Sequence, residues 1–127
     1  MSRIISLLIA SGVILITPQL FADELPVYIG TYTGGESQGI YLLNFDTKSG
    51  KLSNLTLAAE TTNPSFVALH PNGKYLYAVN ETGTGEISAF GIDPETGLLK
   101  LINEVPSGGG APCHLVIDKT GKNLGHL

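Results

Sequence analysis

The chain has one cysteine, Cys113, and one arginine, Arg3, among its 127 residues. A single thiol cannot close an intramolecular disulfide, so the fold must be held by its apolar core even in an oxidising compartment. Charged residues make up only 14%, and the seven basic side chains are scattered singly against eleven acidic ones. No basic patch exists to neutralise a phosphate backbone, which argues against a nucleic-acid partner. Sustained 3.6-residue apolar periods with caps are missing too, so little helix is expected past the N-terminus. Neither the triglycine Gly108-Gly109-Gly110 nor the stretch TGTGE at 82–86 runs into Gly-Lys-Ser/Thr or opens a helix, which excludes the common nucleotide-cradling loops. His70, Cys113, His114 and His126 lack zinc-ligand spacing, and neither metal nor cofactor is expected.

What is present is a globular balance, 43% apolar with a formal net charge of -4, in a length that suits a single domain. Residues 1–22, MSRIISLLIASGVILITPQLFA, stand apart: Arg3 near the start, an uncharged and mostly apolar stretch at 4–16, Pro18, and a small Ala22 before DELP. This is the layout of a secretory signal peptide, and its apolar stretch falls short of the roughly 18 to 20 residues that span a bilayer. Export to the periplasm or outside is expected, with no membrane attachment after cleavage; an uncleaved anchor is the alternative, since Leu20 is bulky for its place before the cleavage site. The mature part, 23–127, keeps six lysines and eleven acids, a net charge of -5.

From Asp23 onward the pattern is β. Short runs rich in β-branched and aromatic residues, among them VYIGTYT, GIYLLNF, KYLYAVN and EISAFGI, are separated by TKSGK, PNGK, PETG and KTGK. The hairpins repeat. NPSFVALHPNGKYLYAVN laid over APCHLVIDKTGKNLGHL matches Pro64 with Pro112, Gly73 with Gly121 and Leu76 with Leu124, and a second pair matches Asp46 with Asp93 and Gly50 with Gly97. In that pair the Asp opens a turn and the Gly supplies its positive φ.

A period near 48 residues holding four short strands is the size of a β-propeller blade, whose sheet buries both faces against its neighbours. The second repeat predicts strands at 65–70, 74–80, 86–92 and 100–105. The first repeat starts at its second strand, 27–33. The expected fold is therefore all-β: three strands of a first blade, a complete second blade and the opening of a third, about two blades of a ring. Since propellers take about four to eight blades, the sequence is expected to be the N-terminal part of a longer protein, and the pattern is expected to fail at Gly125 and His126.

At YIGTYTGG, NPSFVALHPNGKYLYAVNE and GGGAPCHLVIDKTGK the sequence resembles the β-propeller lactonase family, which includes the propeller-type 6-phosphogluconolactonase and the carboxy-muconate lactonizing enzyme. The likeness runs from Val27 to Leu124. It implies a seven-bladed ring that opens or closes lactones without a nucleotide or flavin cofactor.

Lactone hydrolysis needs a base for water, an acid for the ring oxygen and donors for the oxyanion. His114, after the glycine run and at the start of an inner strand, is the candidate for proton transfer near neutral pH; the plain reading is a polar strand residue. Glu81, at the end of YAVNE, is a candidate general base or acceptor of sugar hydroxyls, and the resemblance favours a site-lining position for it. Asn80 beside it and Tyr32 in GTYTGG, roughly the same place one blade earlier, are candidate substrate-binding residues. Cys113 reads as a small apolar filler. Two Asn-x-Thr sequons, at Asn54 and Asn80, matter only in a host that glycosylates exported proteins.

The expected function is opening of a sugar-type lactone by an exported hydrolase, with a small lactone or sugar-like molecule as partner. A phosphorylated lactone sits awkwardly with export and with the absence of arginine from 23–127, because phosphate recognition prefers Arg or Lys. The alternatives are a non-catalytic exported propeller serving as a binding platform, and the inactive product of a broken gene.

Overall fold

The computed structural model describes residues 23–127; the expected signal peptide at 1–22 lies outside them. The described residues contain strands and no helix: β1 Glu24–Ile29, β2 Gly39–Asp46, β3 Leu52–Glu60, β4 Phe66–Leu69, β5 Tyr75–Asn80, β6 Glu86–Ile92, β7 Leu99–Pro106, β8 Leu115–Ile117 and β9 Leu124–His126. They make three successive antiparallel sheets, β1-β2-β3, β4-β5-β6-β7 and β8-β9. The middle one is a four-stranded meander of the blade kind. Strand β1 was expected at 27–33 but ends at Ile29. A Cβ on Gly30 would collide with the Pro64 carbonyl, so the chain leaves the ladder here to pass against the second sheet.

Side-chain alternation makes the middle sheet two-faced. Leu76 and Ala78 of β5 join Phe90 of β6 and Ile40 of β2 in a core against the first sheet. Val79 of β5 and Ile87 of β6 pack on Leu115 of β8 in a second core against the third sheet. Two contacts reinforce these junctions. The Tyr28 hydroxyl donates to the Gly97 carbonyl at 2.6 Å, and burial pushes that hydroxyl above its ordinary pKa. The His70 ring meets the Gly121 carbonyl at 3.1 Å.

The turns follow the repeat. Gly50 N–H and Gly97 N–H each donate to the carbonyl of the aspartate four residues earlier at 2.8 Å, with φ of 70° and 73°. Backbone N–H groups of Lys48 and Ser49 bind the Asp46 carboxylate, as those of Glu95 and Thr96 bind Asp93; these bonds hold both carboxyls below their usual range. The tail differs from expectation. Gly125 and His126 stay in strand β9, opposite Val116 and Leu115. Backbone pairing needs no particular side chain, and the one inward position, Leu124, is apolar and packs on the second core.

Candidate functional site

Antiparallel register puts the loops after β1, β3, β5 and β7 at one end of the sheets. Glu60 of β3 lies opposite Gly39, Asn80 opposite Glu86, and Glu86 opposite Pro106. At this end the first blade contributes Tyr32, the second Ser65 and Glu81, and the third Cys113 and His114.

Tyr32 and Glu81 are brought together. The Tyr32 hydroxyl donates to Glu81 Oε2 at 2.7 Å, and the Ser65 hydroxyl donates to the same oxygen at 2.6 Å. These two bonds, Ser65 first, hold the Glu81 carboxyl below its usual range, because both favour the charged form. Tyr32 is 62% exposed, and its hydroxyl is raised chiefly by the bond to Glu81, with lesser pushes from burial and from the Glu81 charge. The pair is an ionised carboxylate and a phenol on the water-facing end of the molecule, suited to grip hydroxyl groups of a polar ligand.

Behind the pair sits Asn63. Its side-chain oxygen accepts from Thr33 N–H at 2.8 Å, its amide donates to the Glu81 carbonyl at 3.2 Å, and its own carbonyl accepts from Ser65 N–H and Glu81 N–H at 2.7 and 3.0 Å. Ser65 and Asn63 went unnoticed in the sequence. The signal that marks Asn63 is the Asn-Pro pair at the seam of the repeat, where the next blade has Ala111-Pro112.

His114 is exposed at the start of β8, its ring 4.5 Å from that of Phe66 and tilted by 50°. It borders an open depression of about 290 Å³ with Val116, Gly125, His126 and Leu127. Phe66 follows Ser65 in the chain, so His114 lies one strand over from the Tyr32–Glu81 pair, without a hydrogen bond to it. Asn80, expected to bind substrate, is enclosed within the fold. It borders a polar depression of about 260 Å³ beside Glu86 and Glu104 but is only 2% exposed. Its amide donates to the Thr61 hydroxyl and the Thr62 carbonyl at 2.8 and 2.7 Å, and its oxygen accepts from Ser88 at 2.6 Å. Both amide hydrogens are committed within the fold, and Asn80 ties β5 to the end of β3.

All six lysines of the described residues, Lys48, Lys51, Lys74, Lys100, Lys119 and Lys122, sit at or beside the turns of the opposite end. The Tyr32–Glu81 end carries Glu36, Glu60, Glu81, Glu86 and Glu104 and no cationic side chain among the described residues. Among those residues there is also no cluster of side chains that could hold a metal ion.

Comparison with known proteins bears on the same stretch. A family model described as lactonase, 7-bladed beta-propeller, matches residues 26–125. A 6-phosphogluconolactonase of Formosa agariphila is 44% identical over 102 residues, covering 77% of this chain and 29% of that protein. A 6-phosphogluconolactonase of Bacillus subtilis is 40% identical over 92 residues, covering 72% and 26%. The structure of the Pseudomonas aeruginosa periplasmic gluconolactonase PpgL superposes with a TM-score of 0.74 at 29% identity, covering 81% of this chain and 30% of that one. The chain thus spans less than a third of the length of these relatives. It belongs to the lactonase family of seven-bladed β-propellers.

Proposed function

We propose that these blades form part of an exported ring that hydrolyses a sugar-type lactone, and that the Tyr32–Glu81 end faces the substrate. The observation that carries the reading is the doubly hydrogen-bonded Glu81 carboxylate at the open end of the inner strands. In hydrolysis water adds to the lactone carbonyl carbon, the ring C–O bond breaks, and the ring oxygen takes up a proton, leaving a hydroxy acid. His114, an exposed imidazole at that end, is the group suited to move the proton near neutral pH. Glu81, held ionised, accepts hydrogen bonds from sugar hydroxyls or from the attacking water. Export rests on the N-terminal sequence pattern and on the periplasmic relative.

The lactone is proposed to be uncharged. A phosphorylated sugar lactone would approach five carboxylates and no lysine at this end of the blades, an unfavourable field for an anion. The test is a ring-closed graft, in which residues 23–127 replace the matching segment of the Formosa agariphila relative. Ring opening is followed by the acid released from neutral and phosphorylated aldonolactones. Turnover of the neutral lactone, with KM for the phosphorylated one raised relative to the parent enzyme, supports the reading. A folded graft that opens no lactone while its parent does defeats it, and ligand binding without turnover favours the binding platform.

A further inference from the structure

Asn63 and Ala111 occupy the same place in successive repeats, each directly before the proline, forty-eight positions apart. Both have left-handed backbones, with φ of 43° and 54°. At the second junction no side-chain amide takes part in the bend. Ala111 N–H donates to the Thr82 carbonyl at 2.7 Å, and Gly110 lies so close to the Gly83 backbone that a Cβ would not fit. A left-handed residue at this seam therefore needs no side-chain amide, even though alanine tolerates the conformation less well than asparagine.

The first junction nevertheless uses an amide, through both its oxygen and its nitrogen. The oxygen of Asn63 accepts from both the N–H and the hydroxyl of Thr33, at 2.8 and 3.1 Å, while its nitrogen donates to the Glu81 carbonyl at 3.2 Å. Thr33 is the residue after Tyr32, so the amide clamps the backbone on either side of the hydroxyl–carboxylate bond. We infer that Asn63 is a positioning residue, holding Tyr32, Ser65 and Glu81 in hydrogen-bonding register across the junction of the first two blades. It touches no ligand itself and acts through that pair. Its consequence for turnover rests on the proposed lactonase reading, whereas its effect on the pair does not.

The test compares Asn63→Ala, which copies Ala111, with Asn63→Gly, which removes the amide while easing the left-handed backbone. The Glu81 carboxyl and the Tyr32 ring are titrated by carbon-detected NMR in the ring-closed graft. Both substitutions are expected to move Glu81 up and Tyr32 down, each toward its ordinary range, because the mutual bond loosens. Asn63→Gly is expected to retain a thermal midpoint closer to the parent, and in the graft both lower kcat for the neutral lactone. Unchanged titrations in both variants overturn the inference, whatever happens to the midpoint, since a purely structural asparagine would lower stability and leave the pair alone. Shifted titrations in a graft whose parent form opens no lactone keep the positioning role and sink the lactonase reading.

Discussion

At the scale of single residues, the repeat sets Tyr32 and Glu81 at roughly corresponding places in successive blades, and Asn80 beside Glu81 is an amide bound within the fold. Asn80 shares parity with Leu76 and Ala78 on β5, but Val79 on the other face is equally buried, so it is the end of the strand after Asn80 that sets Glu81 apart. That strand was visible in YLYAVNE. The partner of Glu81 was not, because Ser65 and Tyr32 reach it from 16 and 49 residues away, separations that no local pattern specifies. A prediction belongs here for Asp118. Its carboxyl is lowered from 3.8 to about 2, first by the Asn123 side-chain amide and then by the Thr120 hydroxyl. A depressed carboxyl stabilises its turn above the unfolded pKa and loses that contribution as pH falls through the folded one. Amide-exchange protection at Lys122 and Asn123 should therefore drop between about pH 4 and about pH 2. Asp118→Asn should show low, flat protection over the same interval. A parent protein with equally flat protection would count against the carboxylate as the brace of this turn.

At the scale of elements, the four strands of the middle sheet were legible because alternation, Gly turns and the repeat agree there. The bulges were not. The ladder between β2 and β3 slips twice, and Asn54, with a φ of 57°, sits at the second slip between Leu42 and Asn44. Such a slip is set by how the two sheets must twist to pack, which is a property of the pair. Glycines of one turn type also differ in what surrounds them. Gly50 and Gly121 have φ of 70° and 71°, yet a Cβ on Gly50 meets open space, and one on Gly121 would overlap the His70 ring. In the ring-closed graft, Gly50→Ala should cost roughly 1 to 2 kcal/mol, the ordinary penalty for a left-handed residue. Gly121→Ala should cost more, and should release the His70 ring from the Gly121 carbonyl. Urea midpoints together with the His70 ring resonances measure both effects. Equal costs would mean that the contact between the second and third blades adds nothing to stability.

At the scale of the whole molecule, the strands are covered unevenly. The inner strands β5 and β6 of the middle sheet are packed on both faces, but Leu52 and Leu55 of β3, Leu101, Ile102 and Val105 of β7, and Val116 of β8 stay exposed among the described residues. A solitary monomer rarely tolerates that much apolar strand surface in water, and a blade that cannot bury its face alone depends on its neighbours. Residues 23–127 expressed by themselves should therefore aggregate, or melt broadly without a cooperative transition. The ring-closed graft should melt sharply, because the blades next to β1 and β8 then cover these faces and pair their edges. Calorimetry and sedimentation of the two proteins side by side make the comparison. A soluble, sharply melting monomer of 23–127 would show that two junctions suffice to hold the fold. The Tyr32–Glu81 pair would then be pre-formed before any ring closes, and the neutral-lactone site would have to be judged on the isolated chain.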